Sequence, residues 1–111
     1  MCGIVGILSH QTVAAELYDS LIHLQHRGQD AAGIMTCSER FHSHMGQGLV
    51  REIFTPENIQ RLPGTLGIAH NRYPTAGGYS VDEIQPFWIG SPYGIAMAHN
   101  GNLTNYKQFI T

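Results

Sequence analysis

Charge is scarce in this chain. Only 13% of its 111 residues are Asp, Glu, Lys or Arg, about half the ~25% usual in a soluble domain. Six basic residues stand against eight acidic ones, so the sequence offers no cationic patch for nucleic acid. No apolar run approaches the ~18 residues that a membrane span needs. The first residues lack the cationic and apolar stretches of an export signal, and the cytoplasm is the expected compartment. Cysteine is nearly missing: Cys2 and Cys37 are the two present. In that compartment they are expected as free thiols, not a disulfide. Repeats, linkers and low-complexity tracts are lacking too, and the length allows at most one domain.

What is present is small and apolar. With 13 glycines counted, about half the chain is apolar, a composition that builds a core and excludes disorder as the main state. Low charge with much glycine points to a chain that is mostly interior, or part of something larger. Residues 2–8 read as a short buried strand, apolar and β-branched. Residues 13–26 read as a helix. Leu17, Leu21 and Leu24 recur at helical spacing beside Ala14 and Tyr18. Thr12 is its expected N-cap, Glu16 suits the positive end of its dipole, and Gly28 stands at the stop. Residues 32–37 and 41–46 read as strands. A short helix over 56–62 is signalled by Thr55, Pro56 and Pro63-Gly64. Residues 65–72 form the next strand, and 86–90 with 93–99 a hairpin. A last helix is expected from Asn102 onward, with Leu103, Tyr106 and Ile110 on one side. It meets the end of the sequence without a stop signal. The chain is therefore expected to be the first part of a longer protein.

Cys2 is the sharpest chemical signal. It follows Met1 directly and precedes Gly3, and its small size favours removal of Met1. The exposed α-amine would titrate near neutral pH and serve as a base. One residue then supplies nucleophile and base together, without a His–Asp relay. Position alone is a weak argument, but Cys2 opens the first of four segments that stand together. They are Cys2-Gly3-Ile4-Val5-Gly6-Ile7, Gln25-His26-Arg27-Gly28-Gln29-Asp30-Ala31-Ala32-Gly33-Ile34, His70-Asn71-Arg72-Tyr73-Pro74-Thr75-Ala76-Gly77, and His99-Asn100-Gly101-Asn102-Leu103-Thr104-Asn105. Together they resemble the glutaminase domain of the class II glutamine amidotransferases, a family of N-terminal-nucleophile enzymes. The resemblance covers essentially the whole chain. The second and third segments are most similar to one branch of that family. Its members pass ammonia to phosphoribosyl diphosphate and so make 5-phosphoribosylamine, the first committed step of purine synthesis. Glucosamine-6-phosphate synthase and asparagine synthetase share the general pattern and differ in those two segments.

The resemblance implies roles residue by residue. Cys2 attacks the side-chain amide of glutamine. The Asn100 side chain and the Gly101 N–H form the oxyanion hole, where one lost donor typically costs ~10²–10³ in rate. Arg72 grips the glutamine α-carboxylate, a group that suits its forked donors. Tyr73 and Thr75 belong to the same substrate-binding loop, and Arg27 and Gly28 form a supporting turn near the α-amine. The implied fold is α+β: a four-layer αββα sandwich of two mainly antiparallel sheets between helices, of which residues 1–111 are the first part. The aspartate that the family uses for the glutamine α-ammonium has no match, Asp30 and Asp82 included. The phosphoribosyltransferase domain is not matched either, and with it go the Mg²⁺ and phosphoribosyl diphosphate sites. No cofactor or metal is expected on this segment, which alone is expected to be inactive. The full-length protein is expected to be a homo-oligomer without nucleic-acid or membrane partners. The remaining alternatives are a non-catalytic fragment or the glutaminase segment of another class II amidotransferase such as glucosamine-6-phosphate synthase.

The residues outside those segments read more plainly. His42 and His44 share a strand face and fall short of a zinc ligand set, so an exposed strand face is expected. Cys37 reads as a buried strand thiol, and Phe87 and Trp88 as core.

Overall fold

The computed structural model describes residues 3–25, 29–73, 84–89 and 94–98. The elements are β1 (Gly3–Leu8), α1 (Ala14–Leu24), β2 (Ala31–Cys37), β3 (Phe41–Gln47), α2 (Val50–Ile53), α3 (Pro56–Gln60), β4 (Leu66–Arg72), β5 (Phe87–Ile89) and β6 (Ile95–Met97). Four strands form one sheet in the order β1-β4-β2-β3, and β5 pairs with β6 in a second. Every pairing is antiparallel. The expected helix from Asn102 and the turn at Gly90-Ser91-Pro92 lie outside the described residues.

Register assigns the two faces of the larger sheet. Val5 opposes Ala69, which opposes Ile34, and side chains alternate along a strand. Val5, Ile7, Ala32, Ile34 and Ala69 therefore face the same way, and they pack with Val13, Leu17 and Leu21 of the α1 region and with Val50, Ile53 and Phe54 around α2. Gly67 lies on this face because a Cβ there would stand 2.7 Å from the Leu17 methyl. Leu17 and Leu21 are fully buried, as their spacing predicts. Leu17→Ala is expected to lower stability by ~3 kcal/mol, the usual cost of an uncollapsed core cavity, read as a shifted urea midpoint.

The small sheet lies over the opposite face. Trp88 meets the Phe41 ring edge-on at 6.2 Å. Gly33 sits against the Gln85 backbone, with no room for a Cβ. Among the described residues the layers run helix, sheet, sheet, three of the four expected.

Several expectations need correction. The N-cap of α1 is Val13, not Thr12. Val13 is fully buried and its N–H is taken by the Gly64 carbonyl at 3.0 Å, so core burial outweighs side-chain capping. The helix ends at Leu24 instead of residue 26. Gln25 is extended and its side chain accepts from the Val50 N–H. Helix α2 was not expected. It is one turn whose first N–H groups are met by side chains, Leu49 N–H donating to Glu52 Oε1 at 2.9 Å. Helix α3 does begin as expected, with Thr55 Oγ1 accepting from Asn58 N–H at 3.2 Å, though it stops at Gln60. Phe87 is half-buried and Trp88 is 54% exposed, so neither is core; Trp88 meets the larger sheet only through the Phe41 ring edge. Cys37 is half-buried at the open end of β2, its thiol near the Ser38 carbonyl at 3.5 Å. His42 and His44 are half-buried instead of exposed. They tie β3 to its neighbours, His44 Nε2 with the Ile53 carbonyl at 2.9 Å and His42 Nε2 with Ser38 Oγ at 3.3 Å.

Candidate active site

One end of the larger sheet collects the described residues that carry chemistry. Strand β1 begins there at Gly3, opposite Asn71 of β4. Strand β4 ends there at Arg72, opposite Ala31 of β2. Arg72 is only 3% exposed, and its Nε donates to Asp30 Oδ1 at 3.1 Å. Asp30 keeps 40% of its side chain accessible. A guanidinium buried this far requires a hydrogen-bonded counter-charge, and Asp30 supplies one that still meets water. Backbone bonds lock the pair further: Asp30 N–H donates to the Arg72 carbonyl at 2.9 Å, and Gly48 N–H to the Asp30 carbonyl at 2.8 Å.

The segment before Asp30 is anchored on both sides. Gln29 is buried, its Nε2 donating to the Gly48 carbonyl at 2.7 Å. The N–H of Val50 is shared between Gln25 Oε1 at 3.0 Å and Gln29 Oε1 at 3.2 Å. Both residues flanking 26–28 thus converge on the start of α2. Gly48, with φ +122°, adopts a conformation that only glycine takes freely.

Asn71 and Tyr73 tie the same end to α1. Asn71 is fully buried, and its Oδ1 accepts the Gly3 N–H at 2.8 Å. Its Nδ2 approaches the Tyr73 hydroxyl at 3.5 Å, and that hydroxyl donates to the Leu24 carbonyl. Leu24 is the last residue of α1, so Tyr73 satisfies a carbonyl that the helix cannot.

The structure therefore brings Arg72 and Tyr73 together with Gly3, the residue after Cys2. It adds Asn71, Gln25 and Gln29, which the sequence reading does not single out, and Asp30, which that reading sets aside as no match for the ammonium-binding aspartate. Each lies within or beside a quoted segment, and buried polar residues beside a candidate site were the available signal. Cys2, Arg27, Gly28, Thr75, Asn100 and Gly101 lie outside the described residues.

Among the described residues, two cavities lie elsewhere. One of about 320 Å³ is lined by Met35, Phe41, Leu66, Ile68 and Ile95 among others. It sits at the far end of β4, ~20 Å from Arg72 at ~3.3 Å per residue. The other, about 340 Å³, lies between α1 and α3. Neither is lined by Gly3, Asp30 or Arg72. Among the described residues no three His, Cys, Asp or Glu side chains gather to hold a metal ion, and no helix is long and apolar enough to cross a membrane.

Comparison with known proteins shows the family of the chain. No protein-family model matches the chain. An amidophosphoribosyltransferase from Pseudomonas aeruginosa is 57% identical over 109 residues, 97% of this chain and 22% of that protein. The chain belongs to the amidophosphoribosyltransferase family. Two solved structures share its fold. One, described as the allosteric regulatory enzyme of purine biosynthesis, superposes with a TM-score of 0.84 at 38% identity, covering 97% of this chain and 24% of that one. A glutamine phosphoribosylpyrophosphate (PRPP) amidotransferase from B. subtilis, complexed with ADP and GMP, gives 0.80 at 37% identity, covering 97% and 23%. The fold is thus α+β with antiparallel sheets, of the N-terminal-nucleophile kind. The chain spans about a fifth of the length of these amidophosphoribosyltransferases.

Proposed function

We propose that this chain carries the glutamine-hydrolysing chemistry of an amidophosphoribosyltransferase. Ammonia released from glutamine goes to phosphoribosyl diphosphate and gives 5-phosphoribosylamine, opening purine synthesis. The observation that carries this reading is the 57% identity to such an enzyme across 97% of the chain.

The steps follow from the residues. Cys2, with Met1 removed, gives its thiol proton to its own α-amine and attacks the glutamine side-chain carbonyl. The oxyanion is met by Asn100 Nδ2 and the Gly101 N–H. The intermediate collapses, the C–N bond breaks, and ammonia leaves with the proton returned from the amine. Water then hydrolyses the thioester to glutamate. Arg72 binds the α-carboxylate, and Asp30 fixes the plane of its guanidinium through Nε. Thr75 lines the same loop, and Arg27 and Gly28 support the amine. Residues 1–111 constitute part of the glutaminase domain. Phosphoribosyl diphosphate and its Mg²⁺ belong to the remaining length of the enzyme, and no step here uses the metal.

The test is Arg72→Gln in the full-length protein. Charge-assisted hydrogen bonds to a carboxylate contribute ~1.5–3 kcal/mol each, so the glutamine KM is expected to rise about a hundredfold. Ammonia-dependent synthesis is expected to stay at the wild-type rate. An unchanged glutamine KM would remove Arg72 from the substrate site.

A further inference from the structure

We propose that Asn71 is the positioning residue for the Cys2 nucleophile, acting through the Gly3 peptide nitrogen. The inference rests on the glutaminase reading above. Among the described residues β1 pairs with β4 alone, and within them its first residue has no second ladder to hold it. Asn71 takes over that task. Fully buried, it accepts the Gly3 N–H at 2.8 Å. That nitrogen belongs to the peptide bond joining Gly3 to Cys2. The bond is planar, so fixing its N–H fixes the direction in which the chain continues to the Cys2 α-carbon.

Asn71 is itself held. Its Nδ2 faces the Tyr73 hydroxyl at 3.5 Å, and the hydroxyl donates to the Leu24 carbonyl at the end of α1. A relay thus runs from the helix through Tyr73 and Asn71 to the peptide next to the nucleophile. Gly3 completes it: a Cβ there would overlap Asn71 Oδ1 and come within 3.2 Å of Leu24 Cβ. The residue after the nucleophile must lack a side chain for the amide to reach its N–H.

Positioning of this kind affects the chemical step and not substrate binding, which falls to Arg72 one residue further on. A displacement of ~1 Å at a reacting atom costs ~10² in rate. In the full-length enzyme, Asn71→Leu is therefore expected to lower kcat with glutamine about a hundredfold at nearly constant glutamine KM. Ammonia-dependent synthesis is expected to be retained. Asn71→Asp keeps an acceptor oxygen for Gly3 and is expected to recover kcat to within about tenfold of wild type. An unchanged kcat in Asn71→Leu overturns the proposal. So does a parallel rise in KM or loss of the ammonia-dependent rate, the signature of a merely structural role. Should Asn71→Leu fail to fold, Gly3→Ala breaks the same contact from the other side. It carries the same expected kcat loss at retained ammonia-dependent rate, and an unchanged kcat there is equally fatal. Cys2→Ala run alongside separates the two ideas. Retained glutamine use in Cys2→Ala sinks the glutaminase reading, whereas its loss with a normal Asn71→Leu sinks this inference alone.

Discussion

Cys2→Ala in the full-length enzyme is expected to abolish synthesis from glutamine and to leave synthesis from ammonium at the wild-type rate. The thiol forms the thioester through which ammonia is released, and no neighbouring group replaces it. Removing a covalent nucleophile typically costs ~10⁴ or more in kcat, the residue of catalysis coming from binding and the oxyanion hole. The ammonia-dependent reaction uses none of these groups. Phosphoribosylamine formation with glutamine and with ammonium, measured side by side, separates the two activities. Equal loss of both would make Cys2 structural and would remove the mechanism proposed for it. The size of this effect sets it apart from Arg72→Gln, which weakens glutamine binding without removing a bond-forming atom.

A large effect on folding is expected at Gly33. It lies in the middle of β2, opposite Met45 on one side and His70 on the other. A Cβ there would overlap the Gln85 carbonyl oxygen and stand 2.8 Å from Met45 Cγ. Met45 is flexible and can move away. The Gln85 carbonyl is backbone, and it can yield only if the segment leading into β5 lifts off the sheet. Overpacking of this kind costs ~3 kcal/mol, so Gly33→Ala is expected to lower the urea midpoint as far as Leu17→Ala does. It should also expose Phe41, whose ring Trp88 now covers. Trp88 fluorescence reports the separation directly, because its environment changes only if the two sheets part. A variant with an unchanged midpoint and unchanged Trp88 emission would show that the small sheet is not seated on Gly33.

Local patterns made much of this fold legible. The strand readings over 2–8, 32–37 and 65–72 and the Leu17–Leu21 stripe mark their elements within a residue or two, but β1 is not the buried strand expected: Ile4 and Leu8 are exposed, because it lies at the edge of the described sheet. Thr55 and Pro56 place the start of α3 for a local reason: the cap and the helix it serves are three residues apart. Where partners are distant in sequence, the signal fades. Val13 displaces Thr12 because the Gly64 carbonyl, brought from 51 positions away, takes its N–H. Helix α2 forms because Gln25 and Gln29 meet its first N–H, and a four-residue helix has too little periodicity to be seen. Trp88 reads as core by composition and lies half outside by geometry.

The candidate site divides in the same way. Sequence by itself pointed to the family: four segments, which hold a cysteine after Met1, Arg72 and an Asn-Gly pair, stand together in one chain. Those are matters of residue type and order, which need no coordinates. Only the tertiary structure decided which residues hold the described ones in place. Asp30 and Arg72 are 42 residues apart, and Gly3 and Asn71 are 68 apart. Both contacts exist because β4 runs antiparallel between β1 and β2. That strand order brings the start of β1, the end of β4 and the approach to β2 to one edge of the sheet. Long-range antiparallel pairing carries no local signature, because its hydrogen bonds join backbone groups that every sequence possesses. The network around the candidate site is therefore a product of topology, while the motifs that mark it are a product of sequence.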